Sequence, residues 1–170
     1  MRISLAALVV GAAVALSAST AFGHRAAVDC VGNQLAGRFA VIPGSPGAGS
    51  ISYRLTLKNT AATPCTVSGL PLGGLLGKRN QKLATHVRAA RPNQLTAVLV
   101  TLLPGESATA TARFSPDIPG KGEPVQGPCE PKAYWFGVRP AGGGTTTVKV
   151  LPATSVCEHG ALSFSAYRHA

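Results

Sequence analysis

Apolar and polar residues alternate along several short segments of the chain, and this alternation restricts its fold more than any other feature. In ISYRLTLKN (51–59), every second residue from Ile51 to Leu57 is apolar, and the residues between are polar. A β-strand directs successive side chains to opposite faces, so the pattern is typical of a strand with one buried face. SATATARF (107–114) repeats it with smaller side chains. Because helical periodicity is scarce, we predict an all-β protein.

Glycine- and proline-rich segments separate the expected strands. They include PGSPGAGS (43–50), GKRNQK (77–82), LPGES (103–107) and PAGGG (140–144). Glycine allows positive φ, and proline fixes φ and lacks an N–H donor, so such segments end strands and form turns. A longer segment with five prolines, 115–131, is expected to form an ordered crossover loop. The pattern indicates an immunoglobulin-like antiparallel β-sandwich of seven to nine short strands.

The first residues have the layout of a secretory signal peptide. Arg2 supplies a positive charge, the apolar run LAALVVGAAVAL (5–16) follows, and SASTAFG (17–23) provides small residues for cleavage. The apolar run is shorter than the roughly 20 residues that a transmembrane helix needs. We therefore expect an exported protein without a transmembrane anchor, either secreted or associated with the cell envelope.

Two cleavage sites for the signal peptidase are consistent with the sequence. Cleavage after Gly23 and cleavage after Ala21 both place a small residue at the required position. We expect a signal peptide over residues 1–23 and one β-sandwich domain over 24–170, because a chain of that length is typical of a single domain.

Four cysteines follow the signal peptide, and an exported chain with this number is expected to form two disulfides. Cys30 precedes the first expected strand and Cys65 follows the second. In an antiparallel hairpin the start of one strand lies beside the end of the next, so these two cysteines should meet. Cys129 and Cys157 flank a later hairpin in the same way. Of the three pairings that four cysteines allow, the order of strands favours Cys30–Cys65 and Cys129–Cys157.

Several segments together resemble a known family. They are YRLTLKNTAATPCTVSGLP (53–71), VTLLPGESATATARF (100–114), CEP with VRPAG, and CEHGALSFS (157–165). Their order is similar to that of a secreted four-cysteine family of high-GC Gram-positive bacteria, domain of unknown function 4232, over most of residues 30 to 165. Gly69-Leu70-Pro71 replaces the family's usual Gly-Tyr-Pro, and Phe114 its usual Trp. The resemblance implies a small exported β-sandwich with two disulfides and no known catalytic residue.

His24 is the candidate metal ligand. If cleavage follows Gly23, the free α-amine and the imidazole of His24 can chelate Cu(II) as a pair. A complete site needs a further nitrogen ligand from His86, His159 or His169. An earlier cleavage removes the pair, and chain ends are usually mobile. A secreted copper-binding protein is therefore the alternative function, and no other metal or cofactor is expected.

Positive charge is the main feature that bears on binding partners. Outside the signal peptide, 15 of the 16 Lys and Arg residues remain against 6 Asp and Glu, a formal charge of +9. Five of these cations lie in the basic segment 78–91: Lys78, Arg79, Lys82, Arg88 and Arg91. This segment either docks an anionic envelope polymer or acidic head groups, or forms a solvated turn and a charge-guarded edge strand. Nucleic acid is not expected, since aromatic residues do not interleave with the basic ones.

Few residues suit catalysis. Glu130 and Glu158 each follow a cysteine of the second expected bridge. Such a carboxylate pair can perform acid–base chemistry, but charged residues beside a disulfide need no such role. The sequence has no serine nucleophile elbow, and bridged cysteines leave no thiol nucleophile. We expect a non-catalytic structural or binding module.

Overall fold

The structure, a computed structural model, describes residues 28–91, 93 and 96–170, so the expected signal peptide lies outside the described residues. It contains eleven strands and almost no helix, which confirms the all-β class. A 3-10 turn (Gly32–Gln34) precedes the first strand, and one helical turn, α1 (Cys157–Gly160), lies near the end. The strands are β1 (Leu35–Val41), β2 (Ile51–Asn59), β3 (Cys65–Ser68), β4 (Gly73–Leu76), β5 (His86–Ala89), β6 (Leu99–Leu102), β7 (Ser107–Phe114), β8 (Ala133–Val138), β9 (Thr146–Thr154), β10 (Ala161–Phe164) and β11 (Arg168–His169).

Nine strands form one sheet in the order β4-β8-β9-β1-β2-β7-β10-β5, with β11 also paired to β7. The sheet is mixed, because β1 pairs with β9 and β5 with β10 in parallel. The prediction of a purely antiparallel sheet is therefore wrong: these pairs are joined by long connections, which permit parallel pairing where a short hairpin does not. The strand number was underestimated because six strands have four residues or fewer, too short for a clear alternation. The immunoglobulin-like arrangement stays a prediction.

The large sheet is almost closed, because the segment after β4 turns back along that strand. The N–H of Leu83 donates to the carbonyl of Leu75 at 3.0 Å, and Leu76 forms an isolated bridge with Lys82. The N–H of Leu75 donates to the hydroxyl of Thr85 at 2.8 Å. This segment leads directly into β5, the other end of the sheet order. A separate two-stranded sheet pairs β3 with β6.

The core follows from the alternation in β2 and β7. Tyr53, Leu55 and Leu57 are fully buried, as predicted. Their direct partners on β7 are the buried alanines Ala112, Ala110 and Ala108. Large side chains therefore lie beside small ones. Five aromatic rings pack around this strand pair with centroid separations of 5.2 to 5.9 Å, and they belong to Phe39, Tyr53, Phe114, Phe136 and Phe164.

Two residues depart from the expected alternation. Thr109 was expected on the exposed face but is only 7% exposed, because β11 lies beside it with Arg168 as its partner. In AYWFGV (133–138), alternation places Tyr134 on the same face as Phe136 and Val138, but Tyr134 is only half-buried. The pairing of β8 with β9 shifts register between Ala133 and Trp135, so that Ala133 occupies the core instead.

Two disulfides join Cys30 to Cys65 and Cys129 to Cys157, with Cα–Cα distances of 4.9 and 5.5 Å. This is the pairing that the order of strands and cysteines predicts. Disulfides are typical of extracellular proteins. Among residues 28–91, 93 and 96–170, no helix has both the length and the apolar character needed to cross a membrane.

Candidate functional site

A row of directly paired residues crosses the outer face of the large sheet. It consists of Lys149 on β9, Arg38 on β1, Thr56 on β2, Thr109 on β7 and Arg168 on β11. Neighbouring strands lie about 4.8 Å apart, so this cationic row is about 19 Å long. Its three cations are exposed, and each adjoins a residue that is buried in the core: Phe39 beside Arg38, Val150 beside Lys149 and Tyr167 beside Arg168.

An open groove of about 420 Å³ lies along the row. Its lining includes Arg38, Arg54, Thr56, Thr109, Arg168 and His169. Arg54 lies two residues before Thr56 on β2 and therefore points to the same face of the sheet. We name this feature the arginine groove, because three strands each contribute an arginine to it.

The positive charges of the cationic row and the arginine groove are not neutralised by nearby carboxylates in the described part of the chain. No strand among the described residues contains aspartate or glutamate. Within that part of the chain, Arg38, Arg54 and Arg168 make no side-chain hydrogen bond or ion pair. Arg113, on the same face, instead donates to the hydroxyl of Ser50 at 2.8 and 3.0 Å. Lys149 lies directly beside Arg38, and like charges at paired positions destabilise a sheet.

The basic segment 78–91 forms an exposed turn followed by an edge strand. Lys78 and Arg79 lie in the turn after β4, and Lys82 forms the bridge back to that strand. β5 occupies the last position in the sheet order, so the expected edge strand is present. All five cations of the segment are exposed.

These five cations do not converge on one groove. Lys82 lines a groove beside β4, whereas Arg88 and Arg91 line another beside β5. Arg88 also donates to the hydroxyl of Ser163 at 2.9 Å and lies 3.6 Å from the carboxylate of Glu158. Arg88 of the basic segment therefore already has partners within the protein.

Glu123 is a buried acid that connects two distant parts of the chain. Its Oε2 accepts the main-chain N–H groups of Gly120 at 2.6 Å and Glu158 at 2.9 Å, and its Oε1 accepts the N–H of His159. Burial opposes ionisation, but these three donors, together with the charge that His159 can carry, outweigh it and lower the pKa of Glu123. We name this arrangement the Glu123 clasp.

The clasp holds a turn of unusual conformation. Glu158 and His159 in α1 both have φ of 56°, in the left-handed region that residues other than glycine rarely adopt. The imidazole of His159 places Nδ1 3.6 Å from Glu123 and 3.8 Å from Glu130, and Nε2 3.1 Å from the carbonyl oxygen of Lys121. The main-chain and side-chain groups of this turn therefore both point to the crossover loop.

Among residues 28–91, 93 and 96–170, two groups of side chains have metal-ligand spacing. In one, Glu123, Glu130 and His159 place ligand atoms within 4.8 Å of one another. Both oxygens of Glu123 already accept hydrogen bonds from main-chain N–H groups. The proximity of these three side chains is therefore explained by the Glu123 clasp without a metal ion. The other joins Glu123 to Cys129 and Cys157, whose sulfurs form a disulfide and offer no thiolate.

Several expected site residues are separated. His24 lies outside the described residues, so its copper site stays a prediction. Glu130 lies near His159, whereas Glu158 lies near Arg88, so these two acids have different neighbours. Sequence reasoning missed both Glu123 and the cationic row. The only signals for the row were single cations in β1, β9 and β11, namely Arg38, Lys149 and Arg168, and such isolated cations are not specific.

Comparisons with known proteins identify a family. No curated protein matches the chain, and no solved structure does. The family described as Domain of unknown function (DUF4232) matches residues 30–167, a range that contains all four cysteines and every residue of the cationic row except Arg168. The chain therefore belongs to this family of domains of unknown function.

Proposed function

We propose that the protein is an exported, non-catalytic module that binds an anionic polymer of the cell envelope through the cationic row. The observation that carries this proposal is the display of Lys149, Arg38 and Arg168 on one exposed face without a carboxylate in any described strand. A linear polyanion laid across the strands meets these charges in succession. Binding also relieves the repulsion between Lys149 and Arg38.

The scaffold suits such a role. A sheet within a disulfide-bonded scaffold fixes the main chain that carries the cations before the ligand arrives, so no main-chain ordering is needed on binding. Two disulfides and a signal-like N-terminal sequence support export. The absence of catalysis is supported by the cysteines, since all four are bridged, and by Glu123, whose oxygens already accept hydrogen bonds.

Retention on isolated envelope material, measured along a NaCl gradient, tests the proposal. Two variants lose the same number of positive charges. The row variant carries Arg38→Ala, Lys149→Ala and Arg168→Ala, and the matched segment variant carries Lys78→Ala, Arg79→Ala and Lys82→Ala. We expect the wild-type protein and the segment variant to be retained at low salt and released by added salt, because salt screens exposed charges.

The row variant should bind at least about tenfold more weakly than the segment variant, which corresponds to about 1.4 kcal/mol. Equal losses in the two variants would show that net charge, and not the cationic row, determines retention. Wild-type retention that salt does not change would also contradict the proposal. Unchanged thermal midpoints would show that both variants are folded.

A further inference from the structure

We infer that the arginine groove binds phosphate groups, and that the polymer is an acyclic chain of phosphodiester-linked repeats. This inference rests on the proposed function and names the chemistry of its ligand. Three strands bring Arg38, Arg54 and Arg168 to the groove, together with the hydroxyls of Thr56 and Thr109.

The donor capacity of the groove is large and unused. Each guanidinium offers five N–H donors and no acceptor. Neither the three arginines nor the two threonine hydroxyls make a side-chain hydrogen bond within the described part of the chain. Guanidinium groups form bidentate, charge-assisted hydrogen bonds with phosphate oxygens. The groove is therefore suited to a ligand rich in acceptors, with negative charge at more than one position.

The spacing of the arginines favours a chain of charges over a single anion. Arg38 and Arg168 lie three strand positions apart, a distance of about 14 Å, and Arg54 projects from the strand next to β1. This is a main-chain distance, and guanidinium groups that extend along the groove from these separate positions meet anionic groups at several points. A diester phosphate keeps its negative charge within the main chain of the polymer, so successive phosphates can follow the groove from one arginine to the next.

The lining also argues against ligands built of rings. It contains guanidinium, hydroxyl and imidazole groups but no phenylalanine, tyrosine or tryptophan. Single-stranded nucleic acids bind largely by stacking bases on aromatic side chains, and aromatic faces likewise suit sugar rings. A groove that offers many donors but no phenylalanine, tyrosine or tryptophan recognises mainly oxygens and charge. Acyclic phosphodiesters fit this chemistry better than nucleic acid, sulfated polysaccharide or polyuronate.

Competition binding with four polyanions at equal charge concentration and fixed ionic strength tests the inference. The probes are poly(glycerol phosphate), poly-L-glutamate, dextran sulfate and oligothymidylate. We expect poly(glycerol phosphate) to bind at least about tenfold more tightly than the other three. Arg54→Lys keeps the charge but loses the bidentate geometry, so it should weaken this binding about tenfold. The matched control Arg79→Lys should bind as the wild type does.

The outcomes separate the inference from the proposed function. Equal binding of poly-L-glutamate or dextran sulfate would overturn phosphate recognition while leaving a polyanion-binding face. Tightest binding of oligothymidylate would identify a nucleic-acid site and overturn the inference. Failure of all four probes to bind would contradict both proposals. An Arg54→Lys variant that is folded, as judged by its thermal midpoint, and binds like Arg79→Lys would show that the arginine groove is not the site.

Discussion

The carboxylate of Glu123 accepts a 2.9 Å hydrogen bond from the main-chain N–H of Glu158, 35 residues further along the chain. The disulfide between Cys129 and Cys157 joins the same two regions, the crossover loop and α1. A covalent link and a buried charge thus fix one loop against one turn. This double attachment accounts for the order of a proline-rich segment that has no strand of its own.

Replacing Glu123 by Gln should lower the stability of the protein and change its pH dependence. The pKa of Glu123 is lower in the folded state, so its contribution is present above the unfolded pKa of about 4.3 and is lost as pH falls through the folded pKa. Urea denaturation between pH 7 and pH 2 should show a shallower acid loss for Glu123→Gln than for wild type. Asp117→Asn, an exposed acid of the same loop without a side-chain hydrogen bond in the described chain, is the control. Parallel acid profiles for all three proteins would contradict the clasp.

Alkaline pH should destabilise the protein through Tyr167. Desolvation raises the pKa of this buried phenol, so its contribution is complete below the unfolded pKa of about 10 and is lost as pH rises toward the folded pKa. One such group reduces the free energy of unfolding by up to about 1.4 kcal/mol per pH unit in that range. Tyr167→Phe should flatten the profile measured from pH 8 to pH 12. Tyr134→Phe, at a half-buried position, serves as control, and an equal flattening there would contradict the assignment.

Asn59 should be among the most sensitive polar positions. It is fully buried, its Nδ2 donates to the carbonyls of Thr63 at 2.9 Å and Leu102 at 3.0 Å, and its Oδ1 accepts the N–H of Ala61 at 3.0 Å. Asn59→Ala leaves three main-chain groups without partners and should cost about 3 kcal/mol in free energy of unfolding. The exposed control Asn33→Ala should change stability by less than about 0.5 kcal/mol. Chemical denaturation of both variants measures the difference, and similar values would show that water replaces the lost bonds.

Removal of either disulfide should have nearly the same effect on stability. The bridges span 35 and 28 residues, and the chain-entropy relation gives about 3–4 kcal/mol for loops of these lengths. Paired alanine substitutions at Cys30 and Cys65, or at Cys129 and Cys157, can be compared by urea denaturation. A loss below about 1 kcal/mol for one pair would show that its loop remains restricted without the bridge.

The sequence allows the all-β class, the disulfide pairing and much of the core to be predicted, because each depends on local order. The alternation in β2 determines that Tyr53 faces inward without reference to any other strand. The disulfides follow from the antiparallel pairing of consecutive strands. The parallel pairings were not predictable in this way, since they bring together strands that no short turn connects.

The candidate site depends on these long-range pairings. Arg38 and Lys149 are neighbours only because β1 and β9 align in one register, and a shift of one residue would turn one side chain toward the core. Glu123 shows the same limitation, because its partners lie in a turn whose left-handed conformation has no glycine at Glu158 or His159 to signal it. The clustering of positive charge in the sequence therefore indicated the contiguous basic segment 78–91 and not the cationic row, whose residues are far apart in sequence.

The parallel pairing of β1 with β9 also has a consequence for the order of events during synthesis. β1 leaves the ribosome well before β9, its neighbour on one side, because seven other strands are made between them. Until β9 is made, a hairpin of β1 and β2 has an open edge, and such edges pair readily with other chains. Proteins dominated by non-local pairing also fold slowly. The nascent chain is thus most exposed to aggregation in the interval before its ninth strand arrives, and a factor that shields the hairpin then would raise the yield of folded protein.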